Sequence, residues 1–417
     1  MKFIDYHLAE ELQEGITELG FKRPTDIQYK SISSILKGED VLAVAQTGTG
    51  KTAAFAIPIL HMLHHKRLNE RRRDGIKCIV MVPTHELAIQ ITEVFQELGR
   101  YTKVKTFGLY GGVDQDPQIE QLGKRVDILV ATPGRMFDLM SQGHLRIHRV
   151  EILVIDEADH ILDLGFIKDV KDLTSQLPRK RQTLFFSATI NQKIKKLAYG
   201  LIRQSAIRIQ ISPKDPVSKN VNHAVAFIEM DNKRFFLEQI INDNPTKKML
   251  VFVRTKVRAE RVSKAMTRAK IETLTIHSDK DQAMRDTVME LFRTGQTKVL
   301  IATDITARGI DIADVDFVVN YDLPDKAENY VHRIGRTGRG KKRGDAISFC
   351  SSNETEMLQE IEQYIHNGIK VIEVSKDAVQ DAKLLSNSKE NRIEALIKEI
   401  EETENRQRKN KKRRKRK

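Results

Sequence analysis

Short runs of consecutive aliphatic residues recur along the chain, separated by stretches whose apolar positions fall at helical spacing. Residues 41–45, 78–82, 128–131, 152–155 and 183–186 form one series; 250–253, 273–277, 299–302, 317–319 and 346–349 form a second. A run that is apolar at every position predicts a strand covered on both faces. Such strands alternating with helices predict a parallel sheet between helical layers. Two series predict two α/β domains of one general architecture, over residues 1–211 and 221–374. Residues 212–220 hold two prolines and no periodicity, and read as a flexible linker. After about residue 374 the strands stop. Ile393, Leu396, Ile397 and Ile400 keep a helical spacing that gives way to a basic run, so 375–417 reads as a helical extension with a disordered tail.

Composition refines this picture. A chain of 417 residues with 40% hydrophobic and 31% charged residues suits two soluble domains with an appendage. Cys78 and Cys350 stand far apart in apolar surroundings, with neither metal-ligand nor redox spacing, which suits buried thiols in a reducing compartment. No apolar leader opens the sequence and no later stretch is long enough to cross a bilayer, so a cytoplasmic protein is expected. The net charge is +14, but the stretch from Arg406 to Lys417 holds ten Lys/Arg and no acid, leaving only +4 for residues 1–405. The tail therefore reads as a sequence-blind phosphate binder, and recognition by the body must rest on local geometry.

Candidate chemistry begins where the first strand meets Ala45-Gln-Thr-Gly-Thr-Gly-Lys-Thr52. Apart from Ala45, every fixed position of the phosphate-loop template G-x-x-x-x-G-K-[ST] is matched, in strand–loop–helix context. Gln46, Thr47, Gly48, Thr49 and Gly50 would turn backbone N–H groups toward phosphate oxygens, helped by the helix N-terminus. Lys51 would reach the β- and γ-phosphates, and the Thr52 hydroxyl would bind Mg²⁺. Residues 151–159 are an apolar strand ending in Asp156-Glu-Ala-Asp159. Asp156 takes the Mg²⁺-holding place, and Glu157 can orient and deprotonate the attacking water. Gly335-Arg-Thr-Gly-Arg-Gly-Lys-Lys342 also starts like a phosphate loop. It ends in lysine where a metal-binding hydroxyl is needed and follows a polar helical stretch, so a second ATP site is rejected there.

The sequence Asp156-Glu-Ala-Asp159 and the blocks around it resemble the DEAD-box RNA helicases of superfamily 2, over roughly residues 1–373. The resemblance implies two tandem RecA-like doubly wound parallel-sheet domains and an ATP-dependent RNA helicase. It implies ATP and Mg²⁺ as cofactors and RNA as partner, held by its backbone as single strand or short duplex. Phe21, Pro24, Thr25 and Gln28, with Phe3 upstream, look like the adenine-reading Q motif, Gln28 offering a donor and an acceptor together. Pro83, Thr84, His85, Gly111, Gly112, Thr132, Pro133 and Arg135 match first-domain RNA-contacting blocks. Ser187 and Thr189 match the block that couples the ATP site to RNA through hydroxyl hydrogen bonds to Asp159 and its neighbours. In the second domain Arg254, Gln282, Arg285, Thr303, Arg308 and Gly309 match RNA-facing positions. Asp311 would hold the ribose. His332 opens a coupling block in which Arg336 and Arg339 would be arginine fingers that reach the γ-phosphate across the interdomain cleft.

Some positions depart from the family pattern. His85 stands where an RNA-binding arginine is usual, so a weaker or pH-sensitive contact is expected. Arg254 stands where Asn is common, and is expected to add positive charge to the RNA track. Ser278 replaces a usual glycine after His277. Three rivals were weighed. A DNA translocase shares the loop and the arginines but not the Q motif or the DEAD spelling. A non-catalytic RNA scaffold predicts damage at Lys51, Asp156, Glu157 or Arg339, all intact. A small-nucleotide kinase predicts neither the second domain nor the tail. The compact body and short basic tail resemble the bacterial RhlE-like branch, and ribosomal or RNA-decay assemblies suit a core that reads backbone rather than bases.

Overall fold

A computed structural model describes residues 2–46, 48–69, 75–211, 217–304, 312, 315–338 and 342–373. Thr47, Arg308, Gly309, Asp311, Arg339, residues 212–216 and the extension from 374 onward lie outside the described residues. The chain divides into two compact units, one formed mainly by residues up to 216 and one from Val217 onward.

The first unit is built on β1 (Val41–Ala45), β2 (Cys78–Met81), β3 (Thr106–Leu109), β4 (Ile128–Ala131), β5 (Ile152–Ile155), β6 (Gln182–Ser187) and β7 (Ile207–Ile211). They lie in the order β3-β4-β2-β5-β6-β1-β7, every pairing parallel. Successive residues feed opposite layers. Cys78 and Val80 join one buried cluster with Phe55, Phe95 and Phe186; Ile79 and Met81 join another with Met136, Leu153 and Phe185. This is why the strands are apolar throughout: at period two, both faces need cover.

The second unit uses β8 (Val221–Phe227), β9 (Met249–Phe252), β10 (Leu274–Ile276), β11 (Val299–Ala302), β12 (Phe317–Asn320), β13 (Gly344–Cys350) and β14 (Lys370–Ile372). Its order, β10-β11-β9-β12-β13-β8-β14, repeats the first sheet strand for strand, again all parallel. In both units, helices begin just past strand ends, where capping side chains accept an orphan backbone N–H. Thr84 does so for the helix His85–Leu98, Asn191 for Gln192–Leu201, Thr255 for Lys256–Arg268 and Asp281 for Gln282–Thr294.

Candidate nucleotide and nucleic-acid site

β1 runs into a tight turn and then the 19-residue helix Lys51–Asn69. Gly48 and Gly50 have φ of 78° and 90°, a region that costs L residues strain, so glycine is required in the turn. At Gly50 a Cβ would also lie 2.5 Å from Gln28 Nε2. Gln28 Nε2 donates to the Gly50 carbonyl at 3.1 Å, and Gln28 Oε1 accepts from the Thr25 amide at 3.0 Å. The amide expected to face adenine is thus first a brace between the turn and the helix Asp26–Leu36. It keeps one N–H and one lone pair for a further partner. Phe21 is 38% exposed and stacks on buried Phe3, ring centroids 6.2 Å apart. Thr49 Oγ1 closes the turn by donating to the Gln46 carbonyl at 2.7 Å. Lys51 is buried, and its ammonium has no hydrogen-bond partner among the described residues. An orphaned buried cation at a helix N-terminus fits an anion such as a nucleotide phosphate. Thr52 follows it, half-buried.

β5 ends beside it. Burial pushes the Asp156 carboxyl up to about 6, opposed by the Lys51 charge and reinforced by Glu157. A buried carboxylate held above its usual range suits a cation-binding position. Glu157 sits at φ 47°, a left-handed conformation rare for a residue with a Cβ, and its backbone N–H donates to Asp156 Oδ1 at 2.9 Å. Its Oε2 lies 3.5 Å from His160 Nδ1. Asp159 Oδ2 accepts from the Ala188 and Thr189 amides at 3.2 and 3.0 Å and from Thr189 Oγ1 at 3.2 Å. Of the two hydroxyls of this block, that of Thr189 reaches Asp159. Ser187 Oγ is buried with no partner among the described residues.

The other first-unit blocks follow β2, β3 and β4, which are adjacent in the sheet. They therefore share the C-terminal edge with the phosphate loop, where open parallel sheets bind ligands. Pro83 precedes the capping Thr84, whose hydroxyl accepts from Leu87 N at 3.3 Å. Thr132 N donates to the Leu109 carbonyl, and Pro133 starts the helix Pro133–Ser141. Arg135 Nη2 donates to the Val113 carbonyl at 2.6 Å, beyond the turn at Gly111 and Gly112. His85 is 8% exposed and stacks on Tyr110, centroids 4.0 Å apart and 25° from parallel. Gln118 clamps that tyrosine, accepting from Tyr110 N and donating to Tyr110 O, both at 3.1 Å. Neither Tyr110 nor Gln118 was expected here, and no spacing signals them.

The second unit repeats the topology and changes the chemistry. Lys233 opens the helix after β8 as Lys51 does after β1, and Asp322 follows β12 much as Asp156 follows β5. Here the ammonium is satisfied from within. Lys233 Nζ donates to Glu354 at 2.5 Å, to Tyr321 O at 2.8 Å and to Phe349 O at 3.1 Å, and lies 3.9 Å from Asp322. Glu354 thus stands in for a phosphate. Arg254 belongs to the same network. Its guanidinium donates to Glu354 and to Leu323 O at 3.0 and 3.1 Å and lies 3.0 Å from Asp325. Gln282 and Arg285 bond each other at 3.2 Å in the first turn of their helix. Thr303 is buried past β11, and Arg336 is buried in the turn that follows the helix Ala327–Ile334; His332 lies within that helix. Gly335 thus follows a helix and not a strand, in keeping with the rejected second loop. Arg333, not among the expected site residues, grips Asp304 with two bonds of 2.5 and 2.7 Å and the Asp322 carbonyl at 2.7 Å. It ties the segment after β11 to the arginine-rich block.

Fold and site together define a phosphate-loop enzyme made of two like parallel-sheet units. Residues 25–197 match the DEAD/DEAH box helicase family and residues 232–341 the helicase conserved C-terminal domain. The chain is 38% identical to the ATP-dependent RNA helicase RhlB of Shewanella frigidimarina, across 91% of this chain and 88% of that one. It is 37% identical to the DEAD-box ATP-dependent RNA helicase CshA of Geobacillus kaustophilus, across 87% and 76%. Among solved structures it is similar to S. cerevisiae Dbp5 bound to RNA and ADP BeF3, with TM-score 0.79 and 30% identity over 93% and 99% of the two chains. It is also similar to the DEAD-box helicase Mss116 bound to ssRNA and UDP-BeF, with TM-score 0.80 and 27% identity over 91% and 82%. The chain belongs to the DEAD-box family of ATP-dependent RNA helicases.

Proposed function

We infer that the protein hydrolyses ATP in response to RNA and uses the cycle to separate short RNA duplexes or remodel RNA–protein complexes. The observation that carries this reading is the orphaned Lys51 ammonium beside Asp156 and Glu157, on the same sheet edge as residues 83–85, 111–112 and 132–135. Lys51 and the loop amides bind the phosphates. Asp156 and Thr52 are fit to hold Mg²⁺, which when bound offsets phosphate charge. Glu157 takes a proton from the attacking water, and its fixed backbone aims it. Asp159, through Ala188 and Thr189, links this site to the segment after β6. Arg336 and Arg339 supply guanidinium charge to the transferring phosphoryl group, an effect worth about 10³–10⁵ in rate in related enzymes. Asp311 holds the ribose, and Gln282, Arg285, Thr303, Arg308 and Gly309 hold the RNA backbone.

The solved complexes of Dbp5 and Mss116 with RNA and nucleotide support the substrate class. A cytoplasmic setting with ribosomal or RNA-decay assemblies is part of this proposal, and the relatives named RhlB and CshA support its RNA-helicase class; these names do not extend to an RhlE-like branch. No described helix is long and apolar enough to cross a membrane. The test is strand displacement on a short RNA duplex. ATP should release the strand catalytically in the wild type and not in Glu157→Gln; equal release by both proteins would overturn the reading.

A further inference from the structure

The body of the chain is nearly balanced in charge, yet residues 179–208 contain eight Lys/Arg and no Asp or Glu. The fold gathers these residues at the β6–β7 end of the first sheet. Lys193, Lys195, Lys196 and Tyr199 are exposed on the helix Gln192–Leu201, whose opposite face buries Ile194, Leu197 and Ala198. The Arg208 guanidinium lies 4.8 Å above the Tyr199 ring, joining edge strand β7 to that helix. Past the helix end, Arg203 donates to the Arg181 carbonyl at 2.5 Å. Arg179 and Lys180 are exposed next to it.

Two guanidinium groups crowd here. Burial lowers the Arg181 pKa and the Arg203 charge lowers it further, against the pull of Asp40. Asp40 lies within the cluster, buried, accepting from the Thr183 and Arg203 amides at 2.9 and 2.8 Å and lying 3.9 Å from the Arg203 guanidinium, so it offsets one of the eight positive charges. Arg181 Nε is buried with no hydrogen-bond partner among the described residues. Like charges held together, with an orphaned donor between them, favour a polyanion.

We propose that this face is a second RNA-binding surface, one that holds the phosphate backbone of a strand or duplex arm outside the blocks that follow β2, β3 and β4. The proposal rests on the RNA-helicase reading above. Arg179, Lys180, Arg181 and Arg203 precede β6 and β7, at the N-terminal edge of the parallel sheet, whereas the blocks follow β2, β3 and β4 at its C-terminal edge, so the two surfaces are distinct. Tyr199, half-exposed and capped by Arg208, adds a platform on which a base can stack, which favours single-stranded RNA. Anchoring RNA on one unit while the core works on a neighbouring stretch would raise the local concentration of duplex at the active edge.

The test uses the full chain and its quadruple variant Lys193→Gln, Lys195→Gln, Lys196→Gln and Arg208→Gln. Affinity is read by fluorescence anisotropy for a short RNA that fills the core alone and for one long enough to reach both surfaces. The variant should bind the long RNA about tenfold more weakly, with a salt slope reduced by roughly 0.7 per lost phosphate contact. Short-RNA affinity and ATP turnover at saturating short RNA should not change. In the wild type, long RNA carrying 4-thiouridine should crosslink to Tyr199, a readout that does not depend on the variant folding. Wild-type binding of long RNA by a folded variant, or no crosslink at Tyr199, would overturn the proposal. So would equal loss of affinity for RNA and for polyglutamate, which would mark a face for any polyanion. Failure of the helicase reading would show separately, as wild-type ATP turnover that short RNA does not stimulate.

Discussion

At the scale of single residues, neighbours decide what a motif residue does. Lys51 and Lys233 both open a helix after the corresponding strand of like sheets. One ammonium is an orphan; the other is neutralised by Glu354. Phosphate affinity is expected to follow the first, and among the described residues the nucleotide loop lies in the first unit. Glu157→Gln should lower ATP turnover by about 10²–10⁴-fold, the usual reach of a general base, while leaving ATP binding in place. Turnover within a few-fold of wild type would remove Glu157 from that role. Arg333→Ala is expected to act through stability, because it strands Asp304 and leaves the Asp322 carbonyl without its donor. A loss of about 3–5 kcal/mol in urea unfolding is expected, typical of breaking one side of a buried ion pair. The DEAD spelling and the phosphate loop were legible because their chemistry is local in sequence. The burial of His85 under Tyr110 and the capture of Arg254 by Glu354 were not. In each, the partner lies 25 or more residues away, and only the sheet order joins them.

At the scale of elements, most central strands were legible, as was the edge strand β10 within 273–277, while four other strands were not. β1, β4, β5 and β11 coincide with their apolar runs, because a strand covered on both sides writes its burial into every residue. β3, β7, β8 and β14 were not foreseen. β3, β7 and β14 are edge strands and β8 adjoins β14; β3, β7 and β8 mix exposed or half-exposed positions with buried ones, and β14 is exposed throughout. The phosphate-loop helix carries a further consequence. Burial, with the charges of His65 and His64 adding to it, pushes His61 down from 6.5 to about 4. The folded state holds the neutral ring, since Nδ1 accepts from Ala9 N at 3.0 Å. Above pH 6.5 the stability is complete; as the pH falls from 6.5 toward about 4, the unfolded chain takes the proton first and stability is lost. The first urea transition should shift to lower urea over that window, and less so in His61→Asn. An equal shift in both proteins would show that other groups drive the loss. In the second unit, a Cβ on Gly344 would fall 1.9 Å from Thr337 Oγ1. Gly344→Ala should therefore break the bond from Thr337 to the Asp316 carbonyl, disturb the turn that carries Arg336 and reduce turnover together with stability. A variant with wild-type melting and reduced turnover would contradict that coupling.

At the scale of the molecule, two copies of one strand order carry one nucleotide loop, and charge is shared unevenly between body and tail. The repeat was visible as two series of apolar runs; its identity strand for strand was not, because β3 and β7 were missing from the first series and β8 and β14 from the second. Deleting residues 406–417 should weaken RNA binding and flatten its salt dependence with saturated turnover retained. Loss of saturated turnover would place the tail within the catalytic body. The division of labour between the units is tested by Arg336→Ala, which should lower turnover by about 10³-fold or more without changing ATP affinity to the same degree. The most direct measurement is steady-state ATP hydrolysis by the full chain with no nucleic acid, with RNA and with DNA of the same sequence. The account predicts low basal turnover, strong stimulation by RNA and little by DNA. Equal stimulation by the two, or turnover indifferent to both, would contradict it.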